Sequence, residues 1–159
     1  MPVTPNLGLN IPSNGTQNWD TLLNYNFSLL DTLYGNLPVL QSLYDETAQS
    51  ANISSTPWFS PAQSGRFKIS GYIIVTTAAT SSSTLPSIVI SWTDADNATV
   101  QTLTLTATNA GNLLTTFAQA SAMISVAGGT TVSISTSSYA SSGATAMQFA
   151  LHARAEAVQ

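Results

Sequence analysis

A chain of 159 residues can form one domain with a real core, plus an appendage too short to fold alone. Only 6% of its residues are charged and the formal net charge is −4, with Arg66, Lys68 and Arg154 as its cations, so it lacks the basic face that nucleic acid requires. The absence of cysteine excludes disulfide frameworks, thiolate catalysis and sulfur-ligated zinc. Apolar runs fall far short of the about 20 residues of a membrane span, and no basic stretch precedes an apolar one at the N-terminus, so neither a spanning helix nor a secretion signal is expected.

Residues 1–17 read as an extended arm. Leu7, Leu9 and Ile11 alternate, giving one apolar edge, while Pro2, Pro5 and Pro12 forbid a helix. Such a tract is floppy alone and suits docking against a partner. Residues 18–35 then read as one amphipathic helix, about 25 Å long. Asn18 is placed as N-cap, Asp20 suits the positive first turn, and Gly35 is placed to end it. Trp19, Leu22, Leu23, Phe27, Leu29, Leu30, Leu33 and Tyr34 share one side, with Asn26 among them. That arc covers roughly 160°, wider than a two-stranded seam. It suits a three-helix cluster, a groove in a partner, or packing on the chain's own β domain, and Asn26 would either set register in a cluster or bond locally.

Residues 36–56 read as a connector, with a helical turn or two expected around Val39, Leu40, Leu43 and Tyr44 after Pro38. The β domain is expected over 57–159, where the period changes to two. Phe67, Ile69, Gly71, Ile73 and Val75 form one face of a long strand that ends in the Ser/Thr run before Pro86. Ile88, Ile90 and Trp92 lead into a turn at Asp94–Asn97, and Val100–Leu105 returns as the second arm of a hairpin. Further strands are expected at Ala122–Val126, Val132–Thr136 and Met147–Ala155, with Gly128 and Gly129 turning between the first two. Six or more strands with short turns predict a mainly β protein, its C-terminal part an antiparallel β-sandwich or jelly roll.

Chemistry-bearing groups are sparse. His152 is the sole histidine, and Glu156, four positions along the same strand, would lie about 13 Å away, out of contact. No G-x-S-x-G elbow occurs, so His152 is read as structural or interfacial and no catalytic residue is assigned. Asp94, Asp96 and Asn97 lack the glycine and distal glutamate of a calcium loop and are read as a turn; no metal or cofactor is expected. Trp58, Trp92, Tyr72 and Tyr139 offer an aromatic platform for sugar rings, although core packing is expected for at least two of them. The N-x-[ST] sequons at Asn14, Asn26, Asn52 and Asn97 are chance matches in a chain so rich in asparagine and threonine.

The segment from Thr4 to Leu33 resembles the N-terminal segment of bacteriophage and prophage virion proteins. The residues that carry the resemblance are Pro5, Asn6, Gly8 and Leu9, then Asn18 and Trp19, then Asn24, Asn26 and Phe27, then Leu30 and Asp31. The β part, with GRFKISGYIIVTTAA, ISWTDAD and ALHARAE, is similar to the trimeric, tumour-necrosis-factor-like jelly-roll heads at phage fibre tips. The resemblance implies a structural fibre, spike or capsid-decoration protein on the particle surface. Particle anchoring is then expected of Pro5, Asn6, Leu7, Leu9, Ile11 and Trp19, with capsid or tail proteins as partners. Homotrimer formation is expected of Trp19, Leu22, Leu23, Asn26, Phe27, Leu29, Leu30 and Leu33. Three copies would bury the helical arc and shelter strand edges that so little charge defends. The alternative is an adhesin whose head binds a host-surface glycan.

Overall fold

The computed structural model describes residues 19–35 and 39–158. The chain divides into two compact units, Pro38–Val158 and a smaller one that contains the helix. The helix, α1, runs from Trp19 to Gly35, the bounds its cap signals predict. The proposed anchoring residues Pro5, Asn6, Leu7, Leu9 and Ile11, and the cap Asn18, lie outside the described residues.

The β unit is a jelly roll, as its alternation predicts. Its strands are β1 (Val39–Gln49), β2 (Thr56–Phe59), β3 (Gly65–Thr77), β4 (Ser82–Leu85), β5 (Ser87–Thr93), β6 (Val100–Thr104), β7 (Asn109–Ala110), β8 (Phe117–Val126), β9 (Val132–Ser137), β10 (Ala140–Ser142) and β11 (Gln148–Val158). They make two four-stranded antiparallel sheets, β1-β11-β3-β8 and β2-β9-β5-β6, and a short third sheet, β10-β4-β7. Because β1, β2 and β3 fall in alternate sheets, as do β8, β9 and β11, the chain crosses between layers instead of forming a meander.

The core lies between the two larger sheets. The inner face of β3 is the alternating set read from the sequence, and it pairs with Leu151, Ala153 and Ala155 of β11. Facing it are Ile88 and Ile90 of β5 and Val132 and Ile134 of β9, all four fully buried. A row of small residues, Ala153, Gly71 and Ala120, crosses the first sheet in register. It makes room for the other layer: a Cβ at Gly71 would come within 2.8 Å of Ile88 Cδ1 and 3.0 Å of Leu105 Cδ2. Buried threonines complete the backbone pairing at the sheet ends, with Thr136 Oγ1 accepting from Ile53 N–H at 2.7 Å and Thr106 Oγ1 from Ile88 N–H at 2.9 Å.

The helical turn expected near Leu40 and Leu43 is corrected by the structure, because those residues belong to β1, an edge strand paired with β11. Spacings of three and four between Leu40, Leu43 and Tyr44 mimic a helical stripe. Leu40 and Leu43 are in fact exposed, and a register shift between Leu40 and Ser42 resets the alternation. The Ser/Thr run after β3 also holds a strand, β4, whose Ser83 hydroxyl donates to Gly111 O and Asn112 Oδ1 at 2.8 Å. Serine's low strand preference is offset there by tertiary hydrogen bonds.

Candidate functional site

The outer faces of the two large sheets differ in chemistry. On β2-β9-β5-β6, β5 and its neighbours turn outward the registers Val89–Thr104–Ser135 and Ser91–Thr102–Ser133, a surface of small side chains and hydroxyls. On β1-β11-β3-β8 the outward registers are Asp45–His152–Tyr72–Gln119 and Leu43–Arg154–Ser70–Ser121. These two rows line a groove of about 530 Å³, with Gly71, Ala120 and Ala153 also contributing to its lining. The volume lies within the range of about 300–1,000 Å³ typical of ligand pockets.

Tyr72, half-buried, stands at the centre of this face. Its ring centroid is 5.8 Å from that of Phe117 and 6.4 Å from the nearly parallel ring of His152. His152 Nδ1 is hydrogen-bonded to Asp45 Oδ1 at 2.6 Å, and both side chains are about half exposed, 47% and 57%. Arg154 pairs with Glu156 along the same strand. The expectation that His152 and Glu156 do not touch therefore holds, and the partner of His152 comes from β1, 107 positions away. A serine nucleophile would need a hydrogen bond to the second imidazole nitrogen. Among the described residues none is made, and no group of three or more metal-ligating side chains forms.

Of the four aromatic residues singled out in the sequence, only Tyr72 belongs to the groove. Trp58, Trp92 and Tyr139 pack against the core, and the Tyr139 hydroxyl donates to Met147 O at 2.6 Å. Tyr44, Trp58, Phe59 and Phe67 form a chain of ring contacts between the layers. Burial there pushes the Tyr44 phenol above its ordinary value, partly countered by a hydrogen bond with the Thr56 side chain. Asp94 and Asn97 act as turn residues: Asp94 Oδ1 accepts from Asp96 N–H and Asn97 Oδ1 from Thr99 N–H, each at 3.0 Å.

On α1 the structure leaves Leu23 39% and Phe27 58% exposed, on one face at a spacing of four. Leu29, Leu30 and Asn26 are half-buried, and the side chains of Trp19, Leu22 and Leu33 lie outside the described set. Asp45, Gln119 and Phe117 are not singled out from sequence, and Leu43 is read there only as part of a helical turn. The alternation of His152, Arg154 and Glu156 with Ala153 and Ala155 is a legible signal for the polar face of β11, but the identity of its neighbours is not.

No family model matches this chain, and no curated protein matches it. Among solved structures it is similar to the CBM22-1–GH10 modules of Clostridium thermocellum endo-1,4-beta-D-xylanase 10B complexed with xylohexaose, at TM-score 0.38 and 11% identity over 77% of this chain and 24% of that one. It therefore spans about a quarter of that structure's length. It is also similar to the CBM22-1 xylan-binding domain of Paenibacillus barcinonensis Xyn10C, at TM-score 0.36 and 12% identity, covering 78% of this chain and 90% of that one.

Proposed function

We propose that this protein is a non-enzymatic structural subunit of a bacteriophage particle, a homotrimeric fibre, spike or decoration protein. Residues 1–17 dock on the capsid or tail, α1 bundles with its counterparts in two further copies, and the jelly roll is displayed. The observation that carries this reading is the helix itself: Leu23 and Phe27 stand exposed on a face that aqueous solvent does not favour. The resemblance of residues 4–33 to virion N-terminal segments supports the same reading. Deletion of residues 1–17 is the test. The truncated protein is expected to fold but to be absent from purified particles by immunoblot; its retention at the full-length level overturns the anchoring role.

A second reading is favoured by the groove on β1-β11-β3-β8, whose aromatic and hydrogen-bonding groups suit a sugar. In that reading the displayed head is an adhesin that recognises a host-surface glycan. A virion receptor-binding protein satisfies both.

A further inference from the structure

Resting on the adhesin reading, we propose that the Tyr72 groove is a binding site for a neutral oligosaccharide. The row Asp45–His152–Tyr72–Gln119 grips the sugar hydroxyls, and Tyr72 provides the apolar surface on which a sugar ring packs.

Three observations carry the assignment. The first is hydrogen-bonding capacity left open. Some exposed hydroxyls of the β domain pair with one another, as in Ser82–Ser142 at 2.7 Å and Ser60–Thr131 at 3.0 Å. In the groove, the second imidazole nitrogen of His152, the second carboxylate oxygen of Asp45, the Gln119 amide and the Ser70 and Ser121 hydroxyls make no such bond among the described residues. This mixed set of donors and acceptors matches vicinal hydroxyls, each of which both donates and accepts.

The second is charge. Asp45 is already hydrogen-bonded to His152, and Arg154 is paired with Glu156, so each charged side chain that lines the groove already has a partner on the same sheet. A neutral polar ligand fits that arrangement better than an anionic or cationic one. The third is the aromatic itself. Tyr72 is positioned between Phe117 and His152 on a four-stranded sheet, whereas the outward registers of β5 and its neighbours on the opposite sheet carry no aromatic side chain. Rings in such a position bind sugar C–H faces at little cost in side-chain entropy. The lining comes from four adjacent strands, which at about 4.8 Å spacing gives a span of about 14 Å, longer than one sugar ring.

The test uses the full-length protein on an array of neutral and acidic oligosaccharides, with calorimetric titration of any hit. Binding to a neutral oligosaccharide is expected, weakened about tenfold or more by Tyr72→Ala and several-fold by Gln119→Ala, with melting temperatures unchanged. Ser91→Ala on the opposite sheet is expected to leave affinity unaltered. Wild-type protein that binds no oligosaccharide of either kind overturns the adhesin reading together with the site, and binding to acidic oligosaccharides alone overturns the neutral-ligand assignment while leaving the adhesin reading. Neutral-sugar binding that survives both groove substitutions overturns the groove assignment alone. A change in molecular mass by light scattering on Tyr72→Ala shows the face to be a contact between copies and overturns the assignment too.

Discussion

At the scale of single residues, two glycines separate tolerable from intolerable crowding. A Cβ added at Gly128 would meet backbone, Ser64 N at 2.7 Å and Gln63 Cα at 2.8 Å, where the loop after β8 meets the loop before β3. Gly128 N–H also donates to Ser64 Oγ at 2.9 Å, and Gly129 N–H to Pro61 O at 2.7 Å, so neither segment can retreat without losing a bond. Gly71 instead faces the terminal methyl groups of Ile88 and Leu105, which can rotate. Gly128→Ala is therefore expected to cost about 1–3 kcal/mol by urea denaturation, and Gly71→Ala markedly less. Both glycines are visible in the sequence, one as part of a turn and one inside a strand. What each must accommodate is a neighbour more than 15 positions away, and that is decided only by packing.

Among the elements, β11 is the strand on which the first sheet depends, because it pairs with β1 on one side and β3 on the other. Leu151 at its centre is fully buried, while Leu43 on the adjoining edge strand is 58% exposed. Leu151→Ala is expected to lower stability by about 2–5 kcal/mol in chemical denaturation, since it removes transfer free energy and leaves a cavity. Leu43→Ala is expected to change it by no more than about 0.5 kcal/mol. Sequence alternation locates β3, β5 and β11 well because each has one face that must be dry. It fails for β1, where most side chains are partly exposed on both faces and the apolar residues fall by chance at helical spacing. It fails for β4 and β10 as well, short Ser-rich strands held by hydroxyl bonds to segments distant in sequence.

For the whole molecule, a surface this poor in charge and a helix with exposed apolar residues argue for assembly. Light scattering of the full chain is expected to return three times the 16.6 kDa chain mass, and the double substitution Leu23→Asp with Phe27→Asp is expected to return the monomer. A wild-type monomer at micromolar concentration overturns the trimer. The sequence by itself determined the mainly β class, the helix bounds from Trp19 to Gly35, the inner face of β3 and the turn at Asp94–Asn97, because period, caps and turn chemistry are local properties. Only the tertiary structure decided that Asp45 of a supposed connector bonds His152, which of the four aromatic residues turn to the core, and that Tyr72 alone of them lines a groove. Those outcomes depend on which strands become neighbours and in what register, and register across a sheet is set by the summed burial of all its strands, not by any one of them.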